Sequence, residues 1–325
     1  MSSLERRNFL KAAGASAFFP WSLAAAQPAF PSGPIEVVIS FPPGGPTDTA
    51  PRILMEFLRP ILKTTMVPVN KTGAGGAIAA EYVHRSTPDG HTLLATSNPS
   101  LSVKAAIDKK LPYQIEDFAA LGMYATDFGV LAARRELGIN TVDELITRAK
   151  QKPDELSYAS AGQGTVTHIS TELFKSNADI QLLHVPHRGS GPAAQAILGG
   201  HVSLLSSAYS AAAPLIESGK IVPLITTAPK RLPEMPDVPT VSERGMAEVE
   251  LNIWMGLFVP ATTPAAIVNT LTSAIAQASN DPTLVGLLKR AGLAPSYGDP
   301  ASTIALLQKE RSVVSRLAEK VQFGE

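Results

Sequence analysis

The strongest constraint on this chain is an alternation. Short, β-branched apolar runs lead into glycine- and serine-rich loops, and each loop opens a helical stretch. Ile35-Glu36-Val37-Val38-Ile39 reads as a buried strand, and the helix expected from about Thr49 to Leu62 carries Ile53, Leu54, Phe57, Leu58 and Ile61 on one face. Strands at 65–69 and 92–96, with a helix to about Ser86 between them, complete a β-α-β-α-β order. That order predicts a mostly parallel sheet with helices on both faces. A second unit repeats the scheme, with strands at 157–159, 181–185, 202–206 and 221–226 and helices through Phe174, through Leu198 and over 211–218. Thr141 and Glu144 form the pattern of a capping box for a helix to about Gln151.

Two stretches tie the units together. Leu121–Ala125 and Phe128–Ala132 read as consecutive strands with a polar step at Thr126-Asp127, and Trp254–Val259 reads as a strand crossing back. Helices opening at Pro264, at Asp281-Pro282 and at Thr303, the last running to Lys320, then return to the first unit. The expectation is an α/β chain of two Rossmann-like lobes joined by two crossovers. Lobe 1 comprises 27–127 plus 253–325 and lobe 2 comprises 128–252. A ligand would lie in the cleft between them.

Four junctions carry the chemistry: Pro42–Asp48, Thr72–Gly76, Ser160–Thr165 and Arg188–Pro192. A glycine-rich turn into a helix aims free backbone N–H groups at one spot and suits an anion. No catalytic cluster accompanies them. The 42–48 loop lacks G-x-G-x-x-G, and there is no P-loop and no G-x-S-x-G elbow. The chain has no cysteine, and its six histidines are scattered without metal-ligand spacing. We expect no cofactor and no metal. An exported hydrolase stays open if Ser97 or Ser160 stands beside His168 or His187, and a ligand-sensing receptor partner is a further alternative.

Residues 1–26 read as a secretory signal. Arg6-Arg7 precede an apolar stretch from Ala12 to Ala25, which ends in small residues before Gln27. The arginine pair before Phe9-Leu10-Lys11 is similar to a twin-arginine signal, with Glu5 where Ser or Thr is usual. The apolar run is shorter than the roughly 20 residues that span a bilayer. Cleavage after Ala26 would remove Arg6, Arg7, Lys11 and Glu5, leaving 299 residues with 25 basic and 27 acidic side chains. Near-neutral charge argues against nucleic acid as a partner.

Seven segments in order resemble the substrate-binding proteins of tripartite tricarboxylate transporters, the Bug or TctC-like receptors. They are 35–48, 70–76, 86–94, 159–164, 184–190, 232–240 and 254–257. The resemblance implies a type II periplasmic-binding-protein fold and a periplasmic location, and a monomer is expected. The resemblance also implies a small organic carboxylate as ligand, with small and large transmembrane permease subunits as partners. The family holds its carboxylate largely through loop backbone groups and waters, at positions corresponding to the 42–48 and 160–165 loops. Asp usually stands at the positions of Ser203 and Ser207, and an aromatic tyrosine at that of His187. The two serines argue against an amino acid ligand.

The expected ligand-binding residues are Pro43, Gly44, Gly45, Thr47, Asp48, Ser97, Asn98, Ser160, Gly162, Gly164, Thr165, His168, Arg188, Gly189, Ser190 and Ser207. Each has a plainer reading. Gly44 and Gly45 allow a tight turn before Pro46. Asp48 facing an anion would repel it, so bracing the loop suits it better. Ser160, Gly162, Gly164 and Thr165 could be helix-capping groups, and His168 a packed core residue. Arg188 is either a carboxylate clamp or a surface ion pair. Ser97 and Asn98 stand at the carboxyl edge of the first sheet, where open α/β sheets bind ligands. Ser207 could be core packing.

Overall fold

The computed structural model describes residues 30–108, 110–249 and 251–318. The expected signal segment, 1–26, lies outside the described residues, as does the end of the last helix at Lys320. Among the described residues no helix is long and apolar enough to cross a membrane.

In lobe 1, β1 (Ile35–Ile39) pairs in parallel with β2 (Met66–Asn70) and with β3 (Thr92–Ser97). The helix after β1 is α1 (Pro46–Leu62), which starts ahead of the expected Thr49. Pro46 needs no N–H partner and its ring presets the helical φ, so the helix can open there, with Asp48 in its first turn. α2 (Ala77–His84) connects β2 to β3, and α3 (Ser102–Ile107) is a short helix that the sequence pattern did not reveal. The sheet continues through β4 (Phe118–Asp127), β10 (Ile253–Pro260) and β11 (Ala294–Gly298), in the order β11-β4-β10-β3-β1-β2. β10 runs antiparallel to β3 and β4, and β11 antiparallel to β4. The sheet is therefore mixed rather than mostly parallel, because the returning segment enters between β3 and β4 from the opposite end.

Lobe 2 holds β5 (Gly129–Arg134), β6 (Ser157–Ser160), β7 (Leu183–Pro186), β8 (Leu204–Ala208) and β9 (Ile221–Thr226), in the order β7-β6-β8-β5-β9. β6 pairs in parallel with β7 and β8, whereas β5 is antiparallel to β8 and β9. The helices are α4 (Val142–Gln151), α5 (Val166–Ala178), α6 (Ser190–Leu198) and α7 (Tyr209–Glu217). Thr141 caps α4 by accepting the Glu144 N–H at 3.2 Å, and the Glu144 carboxylate accepts from Asn140 N–H at 2.7 Å, one residue ahead of the expected box. β8 is shifted by two residues at both ends from the expected 202–206.

α8 (Ala265–Ser279), α9 (Pro282–Arg290) and α10 (Pro300–Ala318) close the chain. α8 and α9 supply Leu271, Ile275, Leu284 and Leu288 to the lobe 1 core beside Ile35, Leu54 and Met255. The cores interlock across the cleft. Val103 of α3 and Val314 of α10 are buried in the lobe 2 cluster, while Val166 and Ala208 join the lobe 1 cluster.

The crossovers lie side by side, because Asp127 at the end of β4 pairs with Ile253 at the start of β10. Asp127 is fully buried, accepts the Phe128 N–H at 2.7 Å and faces the Ser210 N–H at the start of α7. Burial pushes its carboxyl up to about 7, against the lowering effect of these hydrogen bonds. Gly129 N–H donates to Thr227 Oγ1 at 2.7 Å, and that hydroxyl donates to Leu251 O at 3.2 Å, tying the two crossings together.

Candidate functional site

Three helices begin at one cleft between the lobes. Gly45, Pro46 and Thr47 at the start of α1, Thr165, Val166 and Thr167 at the start of α5, and Gly189 and Ser190 at the start of α6 all line it. Gly45 and Gly189 cap α1 and α6 without a side-chain hydrogen bond, so the first-turn N–H groups of these helices have no capping side chain. α5 is capped by Thr165, whose Oγ1 accepts from His168 N–H. The free space is about 40 Å3, room for roughly three waters. No Lys, Arg, His, Asp or Glu is among the described lining residues. Negative charge would therefore be met by oriented peptide dipoles and hydroxyls.

The lobes touch at this point. Gly44 and Gly45 of lobe 1 face Gly191 and Ser190 of lobe 2, and a methyl group on Gly191 would come within 3.1 Å of the Pro43 carbonyl oxygen. Pro43 and Gly44 therefore lie at the contact between the lobes. Thr47 Oγ1 donates to Ser97 Oγ at 3.2 Å across the lobe 1 wall. Asp48 is not among the lining residues: its Oδ1 accepts from Arg52 Nε at 2.9 Å and Asn70 Nδ2 at 2.8 Å. Asn70 Nδ2 also donates to Phe41 O at 2.7 Å, so this network braces the loop just before the cleft.

In lobe 2 the expected donors form two layers. Thr165 reaches the cleft, and its hydroxyl donates to Gly162 O at 2.6 Å. Gly162, at φ 127°, packs a Cβ-free face against His187 O. Beneath them, Ser160 Oγ lies 2.7 Å from His184 Nε2 and accepts the Gly162 N–H at 3.1 Å. Gly164 N–H donates to His168 Nδ1 at 3.2 Å. The His168 and His184 rings stack at 4.2 Å, and Tyr158 stacks on the other side of His184 at 4.8 Å. Burial lowers both imidazoles; His184, with the His168 ring as second cause, falls to about 4. Two neutral rings thus form a platform under the loop, and Ser160, Gly162, Gly164 and His168 support the cleft without lining it.

Three expected contacts lie elsewhere. The Asn98 side chain is turned into lobe 1: its Nδ2 donates to Asn252 O and Glu310 Oε1, and its Oδ1 accepts the Trp254 N–H. Arg188 is exposed and outside the lining, with neither a clamp position nor an ion pair among the described residues. Ser207 is fully buried on β8, outside the lining, and its hydroxyl has no protein partner. The 72–76 loop is a support as well. Ser100 Oγ donates to Gly75 O at 3.3 Å, and Gly76 leaves no room for a Cβ beside that hydroxyl. The apolar wall of Phe41, Pro42, Pro99, Val166 and Ile253 was not among the expected contacts, which were chosen as donors. The positions of Phe41 just before the first loop and of Ile253 at the return crossing are its signals in the sequence.

The geometry has counterparts among known proteins. Residues 51–323 match the family model described as the tripartite tricarboxylate transporter family receptor. The chain belongs to that family. It is an extracytoplasmic solute-binding receptor located in the periplasm. A Pseudomonas sp. (strain P51) protein, described as a UPF0065 protein in the tcbD-tcbE intergenic region, is 34% identical over 284 residues, covering 87% of this receptor and 84% of the relative. The solved structure of Rhodopseudomonas palustris Rpa4515 with adipate superposes with a TM-score of 0.85 at 29% identity, covering 89% of this receptor and 97% of that chain. MatC (Rpa3494) from the same organism, with bound malate, gives 0.82 at 30% identity, covering 89% and 99%. Among the described residues, no group of His, Asp or Glu side chains is placed to hold a metal ion.

Proposed function

We propose that this receptor captures a small carboxylate in the interlobe cleft and presents it to small and large transmembrane permease subunits, acting as a monomer and without turning the ligand over. One observation carries the reading: helix starts from both lobes converge on a cleft that has no charged side chain in its described lining. Fixed N–H donors need little reorganisation to hold an anion, whereas a buried lysine would carry a desolvation penalty. The apolar wall of Phe41, Pro99, Val166 and Ile253 suits the methylene body of an aliphatic acid. Two similar structures contain the di-acids adipate and malate, and these are the first ligands to try. The lobes touch at Pro43–Gly45 and Ser190–Gly191, so entry of a di-acid requires them to part and close again.

Residues 27–127 with 253–325 then act as one rigid body and 128–252 as the other. Calorimetric titration with malate, adipate and a panel of mono- and tricarboxylates tests the reading. One-to-one binding of an acid supports it, and absence of heat with every acid overturns it.

The Ser160–His184 contact favours a second reading, a hydrolase, since nucleophile and base stand at hydrogen-bond distance. Against it, Ser160 is fully buried and its Oγ already accepts the Gly162 N–H. Incubation with a panel of esters decides: turnover that is lost in Ser160→Ala would establish the hydrolase.

A further inference from the structure

Behind the lobe 1 wall of the cleft lies a carboxyl that no part of the binding scheme uses. Glu310, on α10, is half-buried, with its carboxyl turned inward onto three neutral donors. Oε1 accepts from Asn98 Nδ2 at 2.6 Å, and Oε2 accepts from Ser102 Oγ at 2.7 Å and Trp254 Nε1 at 2.8 Å. Those partners are themselves buried: Ser102 is 0% exposed and Asn98 and Trp254 are each 2% exposed. Two of them are flanked in sequence by lining residues of the cleft. Asn98 sits between Ser97 and Pro99, and Trp254 follows Ile253, all three of which are lining residues.

We propose that Glu310 is the positioning residue of the cleft, fixing Asn98 and Trp254 so that Ser97 and Ile253 face the ligand, and that an anionic ligand is captured together with a proton that resides on this carboxyl. The inference rests on the carboxylate reading given above. The hydrogen bonds accommodate both charge states. With Glu310 ionised, the Ser102 hydroxyl donates to Oε2. With Glu310 protonated, Oε2–H donates to Ser102 Oγ, and the Ser102 proton turns to Asn98 O, which already lies 3.1 Å away. The Trp254 and Asn98 donors are kept in either state, and the proton comes from solvent. A glutamine cannot copy this. Asn98 is locked by Trp254 N–H and Asn252 O, so an amide NH2 at either position would face a donor.

Burial already pushes Glu310 up to about 7, against the three hydrogen bonds. The titratable groups on the elements around it are Lys104 on α3, Tyr124 and Asp127 on β4, Tyr297 on β11, and Lys309, Arg311 and Arg316 on α10 itself. None of them hydrogen-bonds the carboxyl, and Arg311 is engaged with Glu116 at 3.1 Å. Among the described residues no cation therefore compensates the charge, and a bound anion nearby disfavours the ionised form further. A rise of about one unit on binding corresponds to about tenfold weaker binding once Glu310 is ionised.

The test is calorimetry with malate and adipate at pH values on both sides of 7, in buffers of different ionisation enthalpy. It is paired with carbon-13 NMR titration of the glutamate carboxyls in the ligand-free protein. The expected results are proton uptake on binding, affinity falling as pH rises through 7, and a glutamate midpoint near 7 without ligand. Glu310→Gln should weaken binding about tenfold or more and abolish both the uptake and the midpoint. Unchanged affinity and pH profile in a folded Glu310→Gln protein would overturn the proposal, and Asp127→Asn controls for the other acid near 7. Where Glu310→Gln does not fold, Ser102→Ala decides. Losing that donor should move the midpoint upward, and an unmoved midpoint refutes the proposal. If neither acid binds, the carboxylate reading fails and the ligand-coupled proton fails with it, whereas binding with a glutamate midpoint at the ordinary value in the ligand-free protein overturns the Glu310 proposal alone.

Discussion

Gly191→Ala separates closure from folding. Gly191 is in the first turn of α6, and the added Cβ would meet Pro43 O at 3.1 Å and Gly44 Cα and C at 3.6 Å. All of these atoms belong to the other lobe. With the lobes apart, the methyl group touches nothing in lobe 1. Overpacking of this kind costs about 1–3 kcal/mol. Because it falls only on the closed form, the dissociation constant should rise by about 5- to 150-fold. Within lobe 2 the change is favourable, since alanine exceeds glycine in a helix interior by up to about 1 kcal/mol, less in a first turn. The expected outcome is weaker ligand binding by calorimetry with an unchanged or slightly raised Tm. Gly191→Val should bind more weakly still. An unchanged Kd would refute the view that this contact closes the cleft, and a lowered Tm would show that the methyl group strains lobe 2 itself.

Asp48→Ala removes the acceptor that Arg52 and Asn70 share. It should cost about 1.5–3 kcal/mol in urea unfolding and weaken ligand binding through the loosened loop; full stability would show the brace to be idle. Asp127 has a folded pKa of about 7 against an ordinary 3.8, so between those values the native state holds a proton that the unfolded chain lacks. Its contribution to stability falls as pH rises through that window, and Asp127→Asn should flatten the decline relative to the parent protein in denaturant titrations at pH 5 and pH 8. His184 has the opposite sign. Its folded value near 4 lies below the ordinary 6.5, so its contribution is present above pH 6.5 and lost as pH falls toward 4. His184→Gln should reduce acid sensitivity in that range while lowering Tm through the lost stack and the lost Ser160 partner, and an unaltered acid profile would contradict the assignment.

Local pattern was legible wherever a helix or strand advertised its own ends. β9 fell on Ile221–Thr226 as expected, and α9 began after its Asp281 cap. β11 was invisible because Ala294–Gly298 is a sheet-edge strand containing proline and glycine, placed by its neighbour β4 rather than by propensity. α3 is short, without a side-chain cap, and held by packing on α10. In the cleft, the glycine loops and hydroxyls could be read from composition. The fate of Asn98 could not: its partners Asn252, Trp254 and Glu310 lie 154 to 212 residues away in sequence. Arg188, beside the fourth loop, left a clamp and a surface ion pair equally open in the sequence; the structure leaves it exposed while Gly189 and Ser190 line the cleft.

The adjacency of the two crossings sets the mechanics of the receptor. Asp127 and Ile253 are neighbours in one sheet, and Thr227 bridges Gly129 to Leu251 across the pair. Two pivots so close define a single line, as the pins of a door hinge do. Rotation about that line keeps these bonds, whereas sliding one lobe past the other would break them. A parting of the lobes that keeps these bonds is a swing rather than a slide, and it separates the 43–45 and 190–191 segments that now meet.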